Sequence, residues 1–228
     1  NIVIHPKPRT TPILGPDVVC FPNYENRRYQ VSGFSGSVFN WNIIEGNFFG
    51  KTDTNVVFTD WNGNPNGKIS VQEISEFGCV GNLLSIDVFK DNPSIEAENL
   101  TVNPPPNSDK QVLFDFKLLN APRYDNSIII QRRTRGSAGA YLNIQAIAGN
   151  QTNYVDQTAL TDSLSYQYRA VGINLCGDSI YSNSMTDILL KGRRPTPFEG
   201  EISFTDFTGW DNGVDKYELY RALENKTG

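Results

Sequence analysis

Residues 62–73 read NGNPNGKISVQE. Asn62, Asn64 and Asn66 alternate, Gly67 stands sixth and Glu73 twelfth. That is the layout of a calcium-binding loop, whose ligands sit at the first, third, fifth and twelfth positions around a sharp turn made by a sixth-position glycine. Ca²⁺ favours charged oxygens, and where such a loop carries Asp this one carries Asn, leaving Glu73 as its one carboxylate. The competing explanation is a turn. Asn and Gly accept positive-φ positions without a metal, and Ile69 and Val71 alternate with Ser70 and Gln72 as along a strand. A strand carries Glu73 away from the loop. The stretch therefore predicts a hairpin turn between NVVFTDW and KISVQEI, with a metal held by Asn62, Asn64, Asn66 and Glu73 as the weaker alternative.

The same pattern repeats on either side. YQVSG, SVFNWNII, NLLSIDVF, QVLFDFKLL, SIIIQRR, YLNIQAI, YQYRAVGI and DKYELYR are short β-branched or alternating runs, as is NIVIH at the start, and turn clusters such as SGFSG, NPPPNSD, RGSAG and GDS separate them. With 13 Pro, 19 Gly and almost no helical periodicity, the chain is expected to be all-β and of the sandwich class. Its 228 residues are enough for more than one core. Internal echoes (IIIQR with YELYR, IVIHPKP with IDVFKDNP) recur at a period close to an immunoglobulin-sized domain of about 100 residues. They divide the chain into the tail of a preceding domain (1–15), a complete sandwich (16–101), a second (102–192) and the opening of a third (193–228), with NPPPNSD and GRRPTP as stiff joints.

Cys20, Trp41 and Cys79 follow the order Cys, Trp, Cys. In immunoglobulin-like sandwiches a disulfide joins the two sheets and a Trp covers it. A Cys20–Cys79 bond is expected on that basis, and with it an oxidising location; the alternative is two buried free thiols. Phe77 departs from the antibody pattern, which has Tyr two residues before the second Cys. Cys176 pairs either with a residue outside the chain or with nothing.

CFPNYENRRYQVSGFSG through NPNGKISVQEISEFGCVG resembles the PKD-like, immunoglobulin-related repeat of large Bacteroidota surface proteins: a Tyr-x-Val strand, Trp41 before a Gly turn, Trp61, an Ile-Ser-Val strand and a closing Gly-Cys. SIIIQRRT, AYLNIQAI, TNYVDQT, SYQYRAVGINLCGDS and YSNSM occur in the order of fibronectin type III strands C, C′, E, F and G. ISFTDFTGWDNGVDKYELYRA is similar to the repeats upstream of the sorting domain in gliding-motility-associated, type IX-secreted proteins. These resemblances imply tandem immunoglobulin-like domains, PKD-like and then fibronectin type III-like. They also imply an extracellular or cell-surface location, reached through the periplasm. The partners they imply are the secretion and outer-membrane machinery, neighbouring modules of the same chain, and surface glycans or proteins. Asp162-Ser163-Leu164 and Asp178-Ser179-Ile180 look like the O-glycosylation sequon of that phylum, making Ser163 and Ser179 candidates; Asn99, Asn150 and Asn225 begin common Asn-x-Thr tripeptides.

Much chemistry is hard to build from this sequence. His5 is its single histidine, lying outside the complete domains, so Ser-His-Asp, Cys-His and histidine-zinc arrangements fail. No phosphate-cradling glycine motif follows a strand, no cofactor is expected, and 20 basic against 25 acidic residues leave no field for nucleic acid. No apolar run approaches the roughly 20 residues of a membrane-spanning helix, and with no leader at its start the chain looks like a piece of a longer protein. Arg132 and Arg221 read as sheet-surface residues. The expected function is a non-enzymatic rod or spacer in an exported adhesin or gliding-associated protein. The alternative is an accessory part of a secreted hydrolase, or a carbohydrate- or protein-binding module with Phe48, Phe49, Tyr124 or Trp210 as its platform.

Overall fold

A computed structural model describes residues 2–63, 66–102, 110–120, 127–197 and 199–220. They form strands joined by turns and fall into two compact units. One takes in the chain up to Pro93 together with Ile173–Asp178, and the other begins at Ser94 and holds most of the rest.

In the first unit, β1 (Val18–Cys20), β2 (Arg27–Gln30), β3 (Val38–Ile44), β4 (Gly46–Phe49), β5 (Val56–Trp61), β6 (Asn66–Ile74) and β7 (Val80–Asp91) build two sheets, ordered β1-β7-β6-β3 and β2-β5-β4. Alternation decides what faces inward. Phe39 and Trp41 on β3, Ile69 and Val71 on β6, and Val57 and Trp61 on β5 are all buried, and with Tyr29 and Val31 they form one core. The chain leaves β3 for the opposite sheet at Glu45, whose φ of 61° is the left-handed kink that redirects it.

β5 and β6 do not form the expected hairpin: β5 lies in one sheet and β6 in the other. Gly67 has a packing reason too: a Cβ there would lie 2.4 Å from Cζ3 of Trp61, whose indole N–H reaches the Tyr29 hydroxyl at 3.2 Å. Gly67→Ala is expected to cost about 1–3 kcal/mol by overpacking, read as a lower urea midpoint at unchanged slope; full retention of the midpoint would show that Trp61 yields freely.

In the second unit, β8 (Ser94–Val102), β9 (Val112–Leu119) and β12 (Asn153–Asp156) form one sheet, ordered β12-β9-β8. The other is ordered β11-β10-β13-β14, from β10 (Ser127–Thr134), β11 (Leu142–Ala148), β13 (Tyr166–Ile173) and β14 (Ser179–Tyr181), with β15 (Met185–Thr186) also pairing with β13. This is the E-B-A and C′-C-F-G order of a fibronectin type III sandwich, and an all-β fold of immunoglobulin-like sandwiches is what the chain forms. Phe114, Phe116, Ile128, Ile130 and Tyr168 fill the interior. At the corner before β13, the Leu160 N–H donates to the Tyr166 hydroxyl at 3.2 Å, as in the tyrosine corner of such sandwiches.

Three expectations are corrected here. The joint placed after residue 101 falls inside β8, a single strand that opens the second unit; NPPPNSD itself lies outside the described residues. NIVIH forms no strand over 2–5. The third-domain opening at 193 falls inside β16 (Leu190–Thr196), which pairs with β17 (Glu199–Phe204) as an exposed hairpin; 215–220 of DKYELYR form no strand.

Candidate functional site

The strongest covalent feature is a disulfide between Cys20 and Cys176, with Cα atoms 6.2 Å apart and 156 residues of sequence between them. Cys79 is free. The expected Cys20–Cys79 bond is ruled out by strand geometry. Cys20 pairs in parallel register with Asp91 at the end of β7, whereas Cys79 immediately precedes the start of that strand. The separation is roughly 40 Å at ~3.3 Å per residue, against the few ångströms that a disulfide requires. Trp41 covers no disulfide either: its indole donates to the Thr54 carbonyl oxygen at 2.7 Å within the core. Cys176 sits in a turn built by Asn174, whose side-chain oxygen accepts from the Cys176 and Asp178 amides at 3.0 and 2.8 Å. The adjacent Leu175 amide donates to the buried Asp91 carboxylate at 2.8 Å. These bonds hold Cys176 against the end of β1. Neither alternative considered for Cys176, an outside partner or a lone thiol, holds.

The calcium alternative fails on Glu73. In phase with Ile69 and Val71, it points into the first unit and is wholly buried. Its carboxylate accepts from Thr10 Oγ1 at 2.6 Å and from Phe34 N and Ser37 Oγ at 2.7 Å each. Gly33 makes room, since a Cβ there would come within 2.6 Å of the carboxylate. Burial alone would raise the Glu73 carboxyl, but the three donors outweigh it and hold it below the usual range. Glu73 thus pins the 32–37 loop and the Thr10 segment, at the far end of β6 from Asn66, which opens that strand opposite Phe89. Asn62 donates its amide to Glu45, and Asn64 lies outside the described residues. No cluster of three metal-ligating His, Cys, Asp or Glu side chains occurs among the described residues.

In the second unit the sequence hid a buried ion pair. Arg132, expected on the surface, turns inward and pairs with Asp156, whose side chain has no exposure. Asp156 also accepts from the Tyr168 hydroxyl at 2.8 Å and from the amide and hydroxyl of Thr158 at 2.8 and 2.7 Å. Arg132 lies over the Tyr166 ring, 4.6 Å from its centroid. Burial pushes the Asp156 carboxyl up, but Thr158, Tyr168 and Arg132 together hold it below its ordinary value; burial and the neighbouring carboxylate push the Tyr168 phenol upward. Every lone pair here is engaged. A carboxylate so held, beside a tyrosine that keeps its proton, fixes structure rather than shuttling protons. A local signal existed: β10 reads Ile130-Gln131-Arg132-Arg133, and period two puts Arg132 in phase with buried Ile128 and Ile130.

The remaining candidates are scattered. Ser163 is exposed in a turn and Ser179 is exposed at the start of β14, both in the second unit. Asn99 and Asn150 are exposed, while Asn225, Arg221 and Tyr124 lie outside the described residues. His5 stacks on Phe77 with ring centroids 3.8 Å apart. Phe48 packs against the first core and Phe49 is exposed. Trp210 is 48% exposed; its indole N–H donates to the Glu98 carbonyl oxygen at 3.0 Å, and it borders a cleft of about 430 Å³ with Glu96, Asn183 and Asp211.

No protein-family model matches the chain, and no curated protein matches it in sequence. Solved structures of similar shape include domains A168–A170 of titin, at 12% identity and a TM-score of 0.45 over 78% of this chain and 65% of that one. The chicken CNTN1 FN1–FN3 domains are 9% identical with a TM-score of 0.36 over 79% and 65%. The D00–D0 domain of intimin is 6% identical with a TM-score of 0.44 over 78% and 98%. The chain thus spans 65% of the length of the titin and CNTN1 structures. Its fold assignment rests on the sheet orders given above.

Proposed function

We propose that this chain is a non-enzymatic modular segment of a large exported bacterial surface protein, an adhesin or gliding-associated substrate of type IX secretion, acting as a rod or spacer outside the cell. The observation that carries this is the succession of two sandwiches along the chain together with one long-range disulfide, Cys20–Cys176. Disulfides persist in oxidising compartments, which supports a location beyond the cytoplasm. Its buried polar groups, Glu73 and the Arg132–Asp156 pair, are consumed in holding loops and strands, as suits a load-bearing module. The Bacteroidota and type IX assignment rests on the sequence resemblance of the PKD-like and fibronectin-like stretches. Its partners would be the outer-membrane export machinery and adjoining modules, with Ser163 and Ser179 as exposed glycan acceptors.

The test uses the full-length protein in its own host, with the type IX pathway intact and disabled. Surface accessibility to an added protease should be present in the first strain and lost in the second, and mass analysis of the exported form should find hexose additions on the peptides carrying Ser163 and Ser179. Equal surface display in both strains would sink the export assignment. A second possibility, accessory binding modules of a secreted hydrolase, is favoured by exposed Trp210 beside its cleft; a hydrolase domain in the full-length protein would decide for it.

A further inference from the structure

Buried side chains of β13 alternate with an outward row, and that row carries an unusual arrangement. Gln167 and Arg169 on β13 stand directly opposite Arg133 and Gln131 on β10. Each arginine is clamped by the glutamine across from it: Arg169 Nε donates to Gln131 Oε1 and Arg133 Nε to Gln167 Oε1, both at 2.7 Å. Each also lies on a tyrosine. Arg169 stands 4.0 Å from the ring centroid of Tyr141 and 4.4 Å from that of Tyr181, and Arg133 stands 4.5 Å from Tyr141. Tyr141 is itself fixed, its hydroxyl sharing a hydrogen bond with Ser184 Oγ at 2.8 Å. Gln131 extends the row to Asn143 on β11 at 2.7 Å.

Two features of this row point outward to a ligand. Neither guanidinium has an acidic partner among the described residues, in a chain whose net charge is −5, while other cations of the unit, Arg132, Lys117 and Arg193, are paired. With their Nε atoms spent on glutamines, the terminal amino groups of Arg133 and Arg169 remain as a fixed pair of donor forks, the geometry that recognises planar anions. The second feature is Tyr181, which is 51% exposed and so leaves ring surface open beside Arg169. Aromatic surface next to a charged fork suits a ligand with both an apolar ring face and an anionic group. The row crosses four adjacent strands, β11, β10, β13 and β14, a width of about 14 Å at ~4.8 Å per strand spacing. That is the footprint of a short polymer rather than a single ion.

We propose that this outer face binds an acidic polysaccharide, a uronate chain whose carboxylates are taken by Arg133 and Arg169 and whose ring stacks on Tyr181. The site lies wholly on the second sandwich and does not depend on how the segment is exported. The probe is hexagalacturonate, titrated calorimetrically into the full 228-residue chain, with a neutral hexasaccharide and a poly-glutamate peptide of equal charge as comparison arms. Expected is saturable binding of hexagalacturonate alone, weakened at least tenfold by Arg169→Gln and at least tenfold by Tyr181→Ala. Arg169→Lys, which keeps the charge but loses the fork, serves where Arg169→Gln does not fold. It should weaken binding as well, with circular dichroism reporting that the sheet is intact. Absence of hexagalacturonate binding overturns the proposal. So does equal binding of poly-glutamate, which would make the face a site for acidic peptides, and so does affinity unchanged in the folded variants.

Discussion

Stretched by its two ends without reductant, the chain will lengthen as though residues 20–176 were missing, and adding reductant will release on the order of 500 Å of further extension. The number follows from covalent connectivity. The disulfide spans 156 residues, and an extended chain covers at most about 3.3–3.6 Å per residue. Tension entering at the first residues reaches Cys20, crosses the disulfide to Cys176 and leaves along the C-terminal segment. β2 to β13 lie within the bypassed loop, so most strands of both sandwiches are sheltered from load. In a spacer that is a direct mechanical advantage: the modules keep their shape while the chain is pulled. The same loop closure contributes about 5 kcal/mol in the chain-entropy picture, so reduction should also lower the unfolding midpoint. Single-molecule extension with and without a thiol reductant measures it, with Cys79→Ser as a control in which the difference must persist. Equal contour lengths in both conditions would show that Cys20 and Cys176 are not joined, and peptide mapping under non-reducing conditions would then identify the true pairing.

Why some of this was legible in the sequence and some was not comes down to range. Period-two alternation is a local signal, and it placed Ile69 and Val71 on one face of a strand, a face that is buried; it also carried Glu73 away from the asparagine loop. The assignment of strands C, C′, E, F and G in the second unit came from the resemblance of its runs to fibronectin type III repeats. Pairing across 156 residues leaves no local mark. The Cys-Trp-Cys order pointed to Cys79 because it assumes a bond between cysteines close in sequence, whereas the length of β7 keeps Cys79 at the wrong end of the sheet. The 62–66 connection misled differently. Asn and Gly mark a change of chain direction, but a hairpin and a crossing between sheets demand the same residues, and only the pairing of β5 with β2 and β4 separates them. Arg132 was misplaced because charge outweighed period: its phase with Ile128 and Ile130 pointed inward, and the buried acid that receives it lies on another strand.

Replacing Arg132 with Ala should destabilise the second unit by about 3–5 kcal/mol, the range for breaking a buried ion pair by removing one partner. Asp156 stays behind with no exposure and no counter-charge, still holding Tyr168 and Thr158. Asp156→Asn should cost less, because an amide keeps hydrogen-bonding capacity and leaves no buried anion, although its NH₂ meets donors. The pH dependence separates this from ordinary loss of packing. Asp156 is held below its ordinary value in the folded chain, as is Glu73. A depressed carboxyl contributes stability that is present in full above its unfolded value and disappears as pH falls through its folded value. Wild-type stability should therefore hold at neutral pH and decline below about pH 4, near the unfolded carboxyl range. Asp187 works the other way: burial raises its carboxyl, so it takes up its proton earlier as pH falls and offsets part of the decline. In Asp156→Asn the slope below pH 4 should flatten, because one proton-linked group is gone, whereas a variant that only removes packing would keep the wild-type slope at lower stability. Urea midpoints from pH 2 to 7 measure this, and an acid slope unchanged in Asp156→Asn would mean that Asp156 does not carry the acid sensitivity.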